Sequence, residues 1–594
     1  VVLRVDLDEL ALSLTGPLVN WYVKRHEQDL ERFLKNAKVY MSPERFMARV
    51  FFATVMTAIF SVPIGLYLTY MAIESLLNTL SPSVGPMIML VFGVVMLILP
   101  LMVYSIMMAL PRMQSSDFQF KVDSELPFFA AYLAMISQSG LSVTSAIERI
   151  AGIKLLEAIG KVAREIVVKN KAFGMDPLTA LTETALSTPS HLFQSLIMGY
   201  VTNVRTGGDI LHYLEIRLNE IVSDTIDRVR RGAEFLSTLM ESYIGAGVIL
   251  LIGLNVLYLA QAITPTGNPI GALQQAVNNN LLFGLLVVPA ISVAFIYLGE
   301  VSIYRVPYTD TRPYIAFGIS TTAAMVAILA GYTSMFHSDL GYVIKVGPIS
   351  IDFAIYMATV MVIAYTPAAI YAGKVIAERR SLERAFSDFL RDFTELRKSG
   401  FTPEKIISTL ADTRDYGALS RYLKDISKQI KYGVPIRVVL SEFMSKTRSY
   451  YARVFAWLLL ESIEYGGATP ETLESLASFS SLMIRINDDL LARLKPLRFV
   501  PYIGAMILTL TLVIMVFTVV SLSSVLLNLS GYYVNYVTGS FALTTVVDSF
   551  IMGLVAGKLG EGELSAGFKH AVAITALVLL IYLASPFISK LFVV

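Results

Sequence analysis

The chain has 594 residues, 55% of them hydrophobic and only 16% charged, with a mean hydropathy of +0.63. An average soluble protein is about 45–50% apolar and about 25% charged, so the excess fits apolar spans joined to soluble segments. With no cysteine, disulfides and thiolate metal sites are excluded; the five histidines show no metal-ligand spacing, and a net charge of +2 gives no ground for a nucleic-acid partner.

A membrane-crossing helix needs about 20 predominantly apolar residues. Nine stretches qualify, at about 50–73, 85–110, 243–263, 281–304, 314–336, 351–373, 499–527, 541–557 and 571–594. The first long apolar run starts near Val50, behind a charged segment. A cleavable signal peptide has its apolar core nearer the start, so this run is expected to stay as an anchor. Placing the N-terminus inside puts 46 of the 48 Lys/Arg on the inner face, leaving only Lys345 and Lys590 outside. The positive-inside bias therefore predicts a multi-pass protein of the cytoplasmic membrane with the N-terminus in and the C-terminus out.

The domains expected in chain order are an inner N-terminal segment (1–49), two spans (50–110), an inner helical domain (111–242), four spans (243–373), a second inner domain (374–498) and three spans (499–594). The two inner domains are copies of one pattern. At an offset of 260, Leu126, Phe129, Ala130, Leu133 and Ile136 match Phe386, Phe389, Leu390, Phe393 and Leu396, with the spacing of an amphipathic helix. Each helix ends in the same punctuation, Ser139-Gly140-Leu141 and Ser399-Gly400-Phe401, and Gly there suits a left-handed cap. Ser142 and Thr402 are placed to cap the next helix. At an offset near 259, Gly174 with Pro177 parallels Gly433 with Pro435, and Arg205-Thr206-Gly207-Gly208 parallels Glu464-Tyr465-Gly466-Gly467. The fold class is thus an all-α polytopic membrane protein with two homologous helical-bundle domains.

This repeat resembles the type II secretion system F domain. The layout of spans and domains is similar to archaeal platform proteins of type IV pilus-like machines, the archaellum among them. The resemblance runs from about residue 45 to the end; the first 45 residues have no counterpart in it. It implies a membrane scaffold, not an enzyme, that couples a cytoplasmic hexameric secretion ATPase to insertion of pilin-like subunits into a filament. It also implies self-association. No cofactor or catalytic constellation is expected. Gly553 to Lys558 differs from a phosphate loop by one missing residue and by Leu559 in place of Ser/Thr, and its small residues instead suit close helix packing.

The second inner domain carries 21 Lys/Arg against 16 Asp/Glu, the first 13 against 15. Arg384, Arg391, Arg397 and Lys398 are therefore the candidate ATPase-docking residues, because charge complementarity steers association. Contact of Arg379 and Arg380 with anionic lipid headgroups is the competing reading of that cluster. The two Gly-Gly turns are either structural or a partner-facing corner formed by Arg205, Gly207, Gly208, Asp209, Glu464, Gly466 and Gly467. Asp548 lies within the eighth expected span, where an ionisable residue must face protein or water; it meets either an incoming subunit or a hydroxyl of the bundle. Glu300 and Asp352 sit near span ends, where headgroup-level solvation accounts for them. The alternative function is a transporter or channel with cytoplasmic regulatory domains. Transporter repeats are usually repeats of the spans, whereas here the repeat lies in the polar segments.

Overall fold

The computed structural model describes residues 41–592 except 79–83, 250–251, 254–255, 258–259, 261–268, 303–309, 338, 347–348, 466 and 523–530, together with scattered positions between 16 and 34. The chain folds as two compact units. One comprises residues 1–137 and 141–221, the other residues 138–140 and 222–594.

The first unit opens with Val19, Val23, Leu30 and Leu34 buried together with Phe46, Met47 and Val50. Helices α1 (Pro43–Asn78) and α2 (Val84–Gln138) follow. Phe60, Leu66 and Leu101 point outward from their apolar stretches, as lipid-facing side chains do. A Cβ on Gly65 would come within 2.9 Å of the Gly93 carbonyl, so glycine sets how closely the two helices approach. Helix α2 is 55 residues long and outruns any bilayer. Beyond Leu110 it becomes polar, and it buries Leu126, Phe129, Ala130, Leu133 and Ile136 under helices α3 (Val143–Ile150), α4 (Glu157–Lys171), α5 (Pro177–Leu186) and α6 (His191–Thr206). Full burial of each leucine, isoleucine or phenylalanine among them stabilises by about 1.5–3 kcal/mol.

Helix α7 (Ile210–Ser242) leads into a π-helical turn, Tyr243–Val248. In the second unit follow α8 (Pro269–Leu282), a second π-helical turn (Phe283–Val287), α9 (Val288–Ser302) and α10 (Arg312–Ser334). A short antiparallel hairpin, β1 (Ile344–Val346) with β2 (Ile349–Ile351), pairs Ile344 with Ile351. It is a small departure from the all-helical expectation. Helix α11 (Phe353–Lys398) then runs unbroken for 46 residues, from apolar stretch into polar repeat. The second repeat is completed by α12 (Pro403–Thr413), α13 (Ala418–Lys431), α14 (Ile436–Lys446), α15 (Tyr450–Tyr465) and α16 (Pro470–Leu494). Last come α17 (Val500–Leu522), α18 (Gly531–Glu561) and α19 (Gly567–Phe592).

Among the described residues, eight helices are long and apolar enough to cross a membrane, and they answer to eight of the nine expected spans. The remaining one, at 243–263, is described as the π-helical turn and a few isolated positions; the rest lies outside the described residues. Helix α18 is the central one, buried along most of its length. It packs on α19 through glycines, because a Cβ on Gly553 or Gly557 would collide with the backbone of Ala571 or Gly567. That is the close approach expected of small residues at four-residue spacing.

Candidate functional site

The punctuation of both repeats has the geometry its sequence calls for. Gly140 and Gly400 take φ of 76° and 85°, and Gly174 and Gly433 take 67° and 81°. Ser142 accepts from the Ser145 N–H at the start of α3, and Thr402 accepts from the Lys405 N–H at the start of α12. Asp176 caps α5 with Pro177 in its first turn, and Pro435 directly precedes α14.

A deeper equivalence was not read from the sequence. Ser190 caps α6 and donates its hydroxyl to buried Asp123 on α2. At the corresponding place Ser449 accepts from the Ala452 N–H at the start of α15 and donates to buried Glu383 at 2.8 Å. Asp123 and Glu383 are 260 residues apart, Ser190 and Ser449 are 259 apart, and these are the offsets of the repeat. That coincidence was the available signal.

The copies differ in how the helix after the first turn is held. Glu125 accepts from the Ala158 and Ile159 N–H groups at 3.1 and 2.8 Å, capping α4 from a neighbouring helix. Burial raises this carboxyl to about 7, with the two backbone donors only partly offsetting it. It lies well beyond the apolar stretch of α2. The second copy has Ala385 there, and its turn before α13 is tied by Tyr416, which donates to Asp392 at 2.5 Å.

The four candidate docking cations all have partners inside the chain. Arg384 donates to Asp488 at 2.8 and 3.2 Å, and Arg391 lies 3.5 Å from Asp388. Lys398 lies 3.3 Å from Glu395 and 3.2 Å from Glu474. Arg397 differs from these in kind, since its guanidinium donates to the carbonyls of Phe401, Gly467 and Ala468 at 2.8–3.0 Å. It stitches the Ser-Gly corner to the Gly-Gly corner. Ser137 stands at the equivalent place in the first copy.

In the first Gly-Gly turn, Gly207 caps α6 at φ 70°, the Gly208 N–H donates to the Asn203 carbonyl at 2.9 Å, and Asp209 accepts from the His212 N–H. Arg205 is exposed beside them. In the second, Gly467 and Ala468 both take positive φ, and Glu464 lies 3.4 Å from Arg437. Gly466 lies outside the described residues.

The second unit also gathers charge where the α18–α19 turn meets the base of α11. Glu561 receives Lys569 at 2.7 Å and His570 Nε2 at 3.0 Å, with Arg380 and Arg498 each at 3.9 Å. Arg379 pairs with Glu563. Glu561, Glu563, Arg379 and Arg380 line a cavity of about 150 Å³ with Glu383 and Tyr450. Arg379 and Arg380 are thus turned toward protein carboxylates. The expectation of headgroup solvation at the span ends is corrected for Asp352, whereas Glu300 stays partly exposed. Glu300 pairs with the buried Lys558. Asp352 is itself buried; it caps α11 through the Ile355 N–H and accepts from Tyr582 at 2.5 Å. The reason at Asp352 is that the bundle covers this span end with its own side chains, Tyr582 among them.

Asp548 is 2% exposed on α18, and neither carboxylate oxygen has a hydrogen-bond partner among the described residues. The neighbouring hydroxyls on α18 itself are already committed. Thr544 and Thr545 donate to the Phe541 carbonyl, and Ser549 to that of Val546.

Residues 129–257 and residues 389–517 each match the family model of type II secretion system protein F. The two matches stand 260 residues apart, the offset of the repeat, and each runs on toward or into the apolar stretch that follows its helical domain. The chain is also similar to an uncharacterized protein of Methanocaldococcus jannaschii, 21% identical over 486 residues, which covers 76% of this chain and 77% of that one. No solved structure matches it.

Proposed function

We propose that this multi-pass membrane protein, which carries two type II secretion system protein F domains, is the platform of a filament-assembly machine of the type IV pilus kind. In this reading a cytoplasmic secretion ATPase engages the helical repeats, and pilin-like subunits leave the bilayer along the membrane bundle. The chain itself is a force-bearing scaffold, with its N-terminus and both repeats on the cytoplasmic face. The observation that carries the proposal is α11, one uninterrupted helix that serves both as a membrane span and as the spine of the second repeat. Displacement of the repeat is then displacement of the span, which is what a motor-driven platform needs. The Glu561–Glu563 turn, paired with Arg379 and Arg380, adds a second mechanical tie between the repeat and α18–α19.

The test is co-purification of the tagged chain from its native membranes with a secretion ATPase of the same cells, together with filament imaging in a strain lacking the chain. An ATPase absent from the purified material, with filaments still present in the deletion strain, overturns the reading. Asp548→Asn belongs to the same experiment. A stable variant with fewer filaments assigns the buried carboxylate a working role, and unchanged output assigns it none.

A further inference from the structure

Two aromatic side chains stand out by exposure. Tyr432 is 88% exposed and Phe173 is 74% exposed, more than any other large hydrophobic residue among those described. The next, Phe60, Leu101 and Ile363 at 68%, lie on apolar stretches suited to face lipid. Tyr432 and Phe173 do not, for each follows the helix of a polar repeat. They are also one position counted twice. Phe173 precedes Gly174, Tyr432 precedes Gly433, and both pairs are 259 residues apart.

Nothing in the fold calls for an aromatic at either place. Both turns are closed by main-chain hydrogen bonds, Phe173 N–H to Val168 and Met175 N–H to Lys169 in one, Gly433 N–H to Ile430 and Val434 N–H to Gln429 in the other. The left-handed glycine completes each turn. A side chain that buries little against its own chain gains nothing from being large and apolar, yet both copies of the repeat carry one. The preceding helices are basic. Helix α13 has four cations against one acid, α4 has four against two, and Lys428 and Lys431, or Lys169 and Lys171, occupy the last turn.

We propose that Phe173 and Tyr432 are two docking knobs for one kind of partner, a protein whose acidic surface carries apolar sockets. Aromatic anchors supply large contact area at low conformational cost, and the surrounding cations steer an acidic face onto them. The placement of Tyr432 favours protein over lipid. Helix α13 starts where Gly417 lies near Ser381 and Arg421 lies 3.5 Å from Glu378, just past the apolar part of α11. It ends with Lys431 beside Asp412 at 3.0 Å, near Arg414, which pairs with Asp392 further along α11. Fourteen residues at about 1.5 Å each carry the tip about 20 Å away from the membrane end.

The inference rests on the platform reading, with the secretion ATPase as the partner, and moves the grip from the arginines of α11 to the two tips; the tip cations are paired as well, Lys431 with Asp412 and Lys171 with Glu148, so the exposed aromatics are what set the tips apart. The test uses the full chain in nanodiscs and the purified hexameric secretion ATPase of the same organism. Tyr432→Ser should weaken binding at least tenfold, Phe173→Ser with Tyr432→Ser at least a hundredfold, and Tyr432→Phe should leave it unchanged. If wild type binds and the double variant binds equally well, the knobs are overturned and the platform reading stands. If wild type does not bind, both fall. Because the chain has no cysteine, Tyr432→Cys takes a single environment-sensitive dye. A blue shift on adding ATPase supports the proposal. A blue shift in anionic nanodiscs without ATPase, absent in neutral ones, overturns it in favour of lipid contact.

Discussion

Glu383 accepts the Ser449 hydroxyl at 2.8 Å, and this contact pins the start of α15 to the side of α11. The pair is buried, and the hydroxyl gives the carboxylate a closer partner than Arg379 at 4.0 Å. Ser449→Ala removes a helix cap and that buried hydrogen bond, and should cost about 2 kcal/mol. Ser190→Ala removes the cap of α6 and one hydrogen bond to Asp123, and should cost about 1–2 kcal/mol. Thermal melting of the detergent-solubilised protein checks both, and a shift no larger than that of an exposed serine contradicts the equivalence.

Glu125 makes the first repeat sensitive to pH. Its carboxyl rises from 4.5 to about 7 on folding because it is buried. The folded state therefore holds a proton that the unfolded state releases. The associated stability is fully present below about pH 4.5 and is lost as pH rises through about 7, on the order of 3 kcal/mol in all. Glu125→Gln should flatten the dependence of the melting midpoint over that window. A variant with the same slope as wild type contradicts the assignment.

Arg397 and Arg384 should behave differently despite their proximity. Arg397 ties three carbonyls across two corners, so Arg397→Ala should speed amide exchange or proteolysis at the Gly467 turn, and Arg397→Lys should not restore protection, lacking the planar fork. Arg384 pairs with Asp488 at an exposed position, and Arg384→Ala should cost under about 1 kcal/mol. Equal effects of the two alanine variants would remove the distinction.

At Gly557 a side chain has nowhere to go, since its Cβ would fall on the backbone of Gly567. Gly557→Leu must push α18 and α19 apart and should cost several kcal/mol, about 3 or more. Loss of folded protein from a detergent gel-filtration profile reads the effect. Gly318→Leu, where a Cβ meets nothing within 4 Å, serves as the control.

What the sequence shows plainly is what local chemistry decides. Apolar length marks the spans, and Gly140, Gly400, Gly174 and Gly433 mark turns because few other residues accept a left-handed backbone. The buried carboxylate–serine pairs were hidden because their members are 67 and 66 residues apart, and an acid on a mostly apolar helix face resembles a surface residue until its partner is located. Charge density misleads at Arg397 for a related reason. A cluster of cations in sequence does not say which side chain turns inward. Lys558 is the extreme case, one residue past the expected span at 541–557 and found buried against Glu300. Gly466 and most of the expected span at 243–263 lie outside the described residues.

Helix α11 contains a single internal proline, Pro367, inside its apolar stretch. Proline cannot donate to the preceding turn and marks the natural bending point of a helix. From there to Lys398 the helix runs about 46 Å. A bend of about 10° at Pro367 swings the far end through about 8 Å, so a small angular change deep in the bilayer and a large sweep at the aqueous tip are one motion seen at two radii.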